Sequence, residues 1–157
     1  MRRAAFVVVA ATAIGLLATP ALGASGDWYS ASAPLKLMSG STLHGEAYGS
    51  FTNQDHSYAK NQTWRRDPLA NGNGVFVNTG FSFEFNDTLS CPAALPCWNE
   101  QAWEQTARWS SSSWGGAYVH YPLDVDGIAA YGAFHFCEDI SFHPDICTSD
   151  VKRNFTY

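Results

Sequence analysis

The chain has 157 residues, of which 46% are hydrophobic, 15% charged and 15% aromatic, with four cysteines and a formal net charge of -5. That length fits one domain, and the hydrophobic fraction is too high and the charge too low for a disordered chain. The acidic balance excludes a protein that grips nucleic acid mainly by neutralising phosphates.

The first element is an export signal. Arg2 and Arg3 precede an apolar run, Ala4 to Ala18, interrupted only by Thr12 and Gly15. Pro20 and then Ala21-Leu22-Gly23 close it with small residues. A charged start, an apolar middle and a small-residue exit are the parts of a cleavable secretory signal. The run is shorter than the roughly 20 apolar residues a membrane span needs, so no stable membrane anchor is expected. Cleavage after Gly23 leaves residues 24–157 as a single secreted, extracellular β domain of 134 residues. It loses Arg2 and Arg3 and no acid, which brings the net charge to -7.

Period-two patterns dominate the rest. From Ser41 to Phe51 one set, Leu43, Gly45, Ala47, Gly49 and Phe51, is small or apolar. The other, Thr42, His44, Glu46, Tyr48 and Ser50, is polar, as in a half-buried strand. Asn53-Gln54-Asp55 and Asp67-Pro68 are turn chemistry, and the two Asn-Gly steps of Asn71-Gly72-Asn73-Gly74 predict a hairpin. Val75-Phe76-Val77 and Phe81-Ser82-Phe83-Glu84-Phe85 alternate, with Gly80 between them predicting a bulge or tight bend. Phe81, Phe83 and Phe85 share a face and belong in the core. Asn99 to Trp109 reads either as a short helix capped by Asn99 or as a strand, and its strand neighbours favour the strand. Ala117 to Tyr121 and Ile128 to Phe136 continue the β style, separated by the turn at Asp126-Gly127. The expectation is an all-β fold, an antiparallel β-sandwich or small barrel of about seven or eight short strands with two disulfides.

Cys91, Cys97, Cys137 and Cys147 are an even set in an exported chain, which predicts two disulfides. Three pairings exist. The local one, Cys91 to Cys97 and Cys137 to Cys147, is favoured because each pair brackets a turn-rich segment. Five and nine intervening residues, with no Cys-x-x-Cys step, argue against structural zinc or a redox pair.

Gly45-Glu46-Ala47-Tyr48-Gly49-Ser50-Phe51-Thr52-Asn53 resembles a stretch found in a group of small secreted actinobacterial proteins. Asn71-Gly72-Asn73-Gly74-Val75-Phe76-Val77 is similar to an Asp/Asn-Gly-Asn-x-Val-Tyr-Val stretch there, and so is Cys137-Glu138-Asp139 followed by Pro144-Asp145-Ile146-Cys147. The resemblance spans most of the mature chain. It implies export, strands and a Cys137–Cys147 loop. The group is uncharacterised, so no activity or catalytic residue comes with it.

Two constellations carry candidate chemistry. His135, Glu138, Asp139, His143 and Asp145 fall within eleven positions and offer imidazole and carboxylate ligands for a metal, or acid and base for a small hydrolase. The competing account is a solvated loop, since no His-x-x-x-His or His-x-His pair occurs. Asp124-Val125-Asp126-Gly127 matches the opening of a calcium loop but lacks its further ligands, and a turn is the simpler reading. Ser110 to Ser113 supplies hydroxyls without a Gly-x-Ser-x-Gly elbow. Glu46 and Glu84 are the example of a carboxylate pair, with nothing tying them together. Arg65-Arg66 beside Trp64 is too small a basic patch for nucleic acid. Asn61, Asn86 and Asn154 head Asn-x-Thr sequons.

The second constellation is aromatic. Six tryptophans, seven tyrosines and ten phenylalanines are present. Much of this fills a core. Trp98, Trp103, Trp109 and Trp114 nevertheless cluster beside polar residues, and tryptophan is enriched at binding hot spots. The sequence therefore reads as a secreted, disulfide-stabilised module that binds an extracellular glycan, protein or small molecule through these four residues, rather than as an enzyme. The alternative is a small extracellular hydrolase or metal-binding protein using the 135–145 cluster. No cofactor is implied.

Overall fold

The computed structural model describes residues 26–69, 71–87, 89 and 96–157. The segment 1–23 expected to be an export signal and Cys91, hence the expected Cys91–Cys97 pairing, lie outside the described residues. Among the described residues there are ten strands and no helix. They are β1 (Gly26–Trp28), β2 (Leu35–Ser39), β3 (Thr42–Gln54), β4 (Tyr58–Arg66), β5 (Gly74–Phe85), β6 (Cys97–Gln105), β7 (Gly115–Pro122), β8 (Gly127–Asp139), β9 (Ile146–Cys147) and β10 (Val151–Thr156). No helix among them is long and apolar enough to cross a membrane.

The strands form two five-stranded antiparallel sheets rather than a closed barrel. The first has the order β1-β3-β4-β7, with β2 also on β3. The second has the order β10-β8-β5-β6, with β9 also on β8. The short-strand expectation fails at β3, β5 and β8, which run 13, 12 and 13 residues. Long central strands arise because Gly80 does not break β5. The two apolar runs on either side of it join into one strand paired with β8 along its whole length.

Alternation puts one face of each sheet into a shared core. Trp28, Leu37, Ala47, Phe51 and Ala59 come from the first sheet. Val75, Val77, Phe81, Phe83, Phe85, Phe134, Phe136 and Phe155 come from the second. Phe51 touches Phe81, Phe134 and Phe155 at ring separations of 6.1, 5.6 and 5.1 Å. Truncating such a ring costs about 3–5 kcal/mol. One polar chain crosses this core. Trp28 Nε1 donates to Asn61 Oδ1 at 2.9 Å, and Asn61 Nδ2 donates to Thr79 Oγ1 at 2.9 Å. The sequon asparagine at 61 is thus a fully buried hydrogen-bonding residue.

The connections explain two departures from the sequence reading. Asn71 to Gly74 is not a hairpin. It lies in the crossover from β4 in the first sheet to β5 in the second. Its asparagine amides are drawn to a buried carboxylate: Asn71 Nδ2 and Asn73 Nδ2 donate to Glu138 Oε1 at 2.6 and 3.3 Å. The tight hairpin instead joins β3 and β4, where Asp55 and His56 both take positive φ (54° and 53°). Asp124 to Gly127 is a turn between the sheets. Asp124 Oδ1 accepts from Asp126 N–H, and Tyr157 Oη donates to the Asp124 carbonyl. Cys137 and Cys147 face each other across β8 and β9 and are bonded.

Candidate binding surface

The outer face of the second sheet brings together two of the four predicted tryptophans. Trp98 and Trp103 are 44% and 41% exposed on β6, the sheet's edge strand. Five residues apart, they would point to opposite faces of a regular strand. They do not, because β6 carries a β-bulge. Phe81 pairs with Ala102 and Ser82 with Glu100, which leaves Gln101 unpaired and resets the alternation. Trp98 then sits opposite Glu84 and Trp103 opposite Gly80. Those partners are four residues apart on β5, so the two indoles are anchored about 13 Å from each other at the usual strand rise.

Each indole has a built seat. The ring of Trp103 lies over Gly80: a Cβ there would fall 2.8–2.9 Å from Cζ2, Cε2 and Cη2. Only glycine lets the indole approach the sheet so closely, and the ring's other side faces solvent. His135 borders it at a ring separation of 5.2 Å. The Nε2 of His135 lies 3.1 Å from Asp150 Oδ1. Trp98 leans on Tyr131 at 5.6 Å, the two planes inclined at 57°. Together with Ser82 they line an apolar cleft of about 330 Å³. Lys152 sits 5.9 Å from the Tyr131 ring centre, and hydrogen bonding to the Tyr131 oxygen raises its pKa.

Trp109 and Trp114 do other work. Trp109 exchanges backbone hydrogen bonds with Val75, prolonging the β5 edge past β6. Its ring fills the place a Cβ on Gly115 would take, 2.4–2.7 Å away, so it ties that edge to β7. Its Nε1 donates to Ser113 O at 2.8 Å. It is half-buried against the core. Trp114 is half-buried on the first sheet, against Tyr48 and beneath Arg66. The four tryptophans therefore do not form one platform. Tyr131 and Gly80, which sequence reasoning did not single out, complete the pair that remains.

The 135–145 group is dispersed by alternation along β8. His135 faces outward to Asp150 and Trp103. Asp139 Oδ2 pairs with Arg108 Nε at 2.8 Å. Asp145 Oδ1 accepts from Ile140 N–H, and His143 is exposed in the loop. Glu138 points inward, fully buried, and meets a residue 94 positions away: His44 Nδ1 lies 2.5 Å from Glu138 Oε2. A second bulge makes this contact. Leu37 pairs with Gly45 and Met38 with Leu43, so His44 is the extra residue of β3 and turns off the polar face that simple alternation assigns it. Nearby Asp67 is buried. Burial pushes its carboxyl pKa up, the Leu69 N–H lowers it, and the Glu138 charge raises it further. Among the described residues no group of three or more His, Cys, Asp or Glu side chains is placed to hold a metal ion. Glu46 is not near Glu84: it is buried on the first sheet and bonds Arg66 Nε at 2.6 Å.

Comparison with known protein families, characterised proteins and solved structures finds no match to this chain.

Proposed function

We propose that the protein is a secreted, two-disulfide β-sandwich that acts as an extracellular binding module, with Trp98, Trp103 and Tyr131 as its ligand-stacking surface. The observation that carries this reading is the Gln101 bulge, which turns both indoles of an edge strand to one face. A sheet that needed only to fold would gain more from burying one of them, since a buried tryptophan removes a large apolar area from water. The ligand class that suits the surface is a chain of neutral sugar rings. Flat C–H faces stack on indole planes, and Glu84, Glu100 and Ser82 offer hydroxyl partners at the rim.

The test is retention of the secreted protein by insoluble neutral polysaccharides such as cellulose, chitin and mannan. Trp98→Ala and Trp103→Ala should each weaken retention on the polysaccharide that binds, by about tenfold or more for a hot-spot aromatic. No retention on any of them, or retention indifferent to both substitutions, overturns the reading.

A second reading, a small extracellular hydrolase, draws on the His44–Glu138 pair. With Nδ1–H given to a buried carboxylate, Nε2 is left as a proton acceptor. Asp67, Asn73 and Ser110 to Ser112 line a neighbouring cleft of about 560 Å³. Turnover of activated esters by the wild type, lost in His44→Gln, would favour this reading over the first.

A further inference from the structure

The outer face of the first sheet holds a second aromatic array of different electrical character. β4 lies between β3 and β7 and alternates strictly. Its inward set is buried, while Tyr58, Lys60, Gln62, Trp64 and Arg66 face outward. All of these but Gln62 belong to two ring clusters, each holding a cation. In one, Trp64 stacks on Tyr48 at 5.3 Å, Tyr48 meets Trp114 at 5.0 Å, and the Arg66 guanidinium sits 4.8 Å from the Trp114 ring centre. In the other, Tyr58 stacks on His120 at 4.7 Å, and the Lys60 ammonium lies 4.5 Å from the Tyr118 ring centre.

Stability accounts for only part of this layer. Tyr118 is 57% exposed, so its ring buries little. Arg66 is fixed by the buried Glu46, which holds its plane on the indole. Lys60 has no carboxylate partner among the described residues. The chain as a whole is acidic, and on this face Glu46 already neutralises Arg66, which leaves the Lys60 ammonium on the Tyr118 ring as the cation open to a ligand. A held cation beside a flat ring matches a pyranose that carries a carboxylate: the C–H face stacks and the carboxylate meets the cation. Lys60 and Arg66 are six residues apart on β4, about 20 Å at the usual rise. Several pyranose rings of one chain span that distance. Duplex nucleic acid, with one charge per roughly 1.7 Å, would leave most of its charge uncompensated against an acidic protein.

We propose that the outer face of β3, β4 and β7 binds an acidic polysaccharide whose pyranose rings carry carboxylates. The experiment is affinity electrophoresis of the mature protein through gels containing polygalacturonate, with dextran, polyglutamate and single-stranded DNA in parallel. Retardation by polygalacturonate alone is expected. It should weaken about tenfold on raising salt from low to physiological strength, as release of a few counterions requires. Lys60→Glu should remove most of it, and Tyr118→Ser should weaken it, giving a second handle should Lys60→Glu fail to fold. Trp98→Ala should leave it unchanged, which keeps its failure distinct from that of the neutral-glycan surface. No retardation at low salt, equal retardation by polyglutamate or DNA, or indifference to both β4–β7 substitutions overturns the proposal.

Discussion

Gly80→Ala tests the indole seat without touching any group a ligand would meet. The added Cβ would fall 2.8–2.9 Å from three atoms of the Trp103 ring. Carbon pairs settle at about 3.5–4.0 Å, so the ring must rise by about 0.7–1 Å. A gap of that size forfeits a quarter to a half of each contact between ring and sheet. Over some ten to fifteen contacts of ~0.1–0.2 kcal/mol, the loss is about 0.5–1 kcal/mol. Replacing glycine by alanine within a strand returns about 0.5–1 kcal/mol. The two nearly cancel, so the unfolding midpoint should move by only about 2–4 °C or less in a domain of this size. Retention on the bound polysaccharide should nevertheless fall, because the plate has tilted. Fluorine NMR of protein labelled with 5-fluorotryptophan resolves the effect: the Trp103 resonance should shift while the other five hold. An unmoved Trp103 resonance would refute the seat. A loss beyond about 3 kcal/mol would show that Trp103 is core rather than surface, since that is the scale of core substitutions.

Further outcomes follow from the buried chemistry. His44→Ala leaves Glu138 fully buried with only its asparagine donors, and urea unfolding should record a loss of about 2–4 kcal/mol. The double variant with Glu138→Ala should cost less than the sum of the singles, by the coupling of a contacting pair. Replacing Cys137 and Cys147 together by serine opens a loop whose ends are ten residues apart, which should cost about 2–3 kcal/mol by the chain-entropy argument. Burial, with the Asp124 charge adding, pushes the Tyr157 phenol up to about 12. The unfolded chain therefore ionises first, near pH 10, so stability should begin to fall there and level off above pH 12. Tyr157→Phe should lack that component of alkaline loss, checked by unfolding midpoints against near-ultraviolet phenolate absorbance.

Much of the scaffold was legible by counting in twos. Ala47 and Phe51 of the Ser41–Phe51 set and the trio Phe81, Phe83 and Phe85 do face the core, whereas Leu43, beyond the His44 bulge, pairs with exposed Met38; Cys137 does pair with Cys147. Counting failed at two unpaired residues, His44 and Gln101, because nothing in their chemistry marks a bulge. The first error hid the His44–Glu138 contact between strands of different sheets. The Gln101 bulge is what puts Trp98 and Trp103 on one face, a placement the sequence reading reaches by proximity alone. Sequence proximity also grouped Trp109 and Trp114 with them, whereas the edge of β5 and the face of the first sheet claim those two. The cue that existed was Gly80: a glycine in an alternating strand marks a close approach, here by an indole rather than by a bend.

Gln101 has one more consequence, for how copies of the protein avoid one another. Among the described residues β6 ends its sheet, and a regular nine-residue edge strand invites a second chain to add itself. The extra residue kinks that edge, and Glu100 and Glu104 charge it. Deleting Gln101 would keep Trp98 and Trp103 on the same face, now four positions apart, so the surface would survive. The straightened edge would be open to strand-to-strand association. Deleting Gln101 is therefore expected to promote self-association, measurable by sedimentation velocity, while leaving the two indoles on one face.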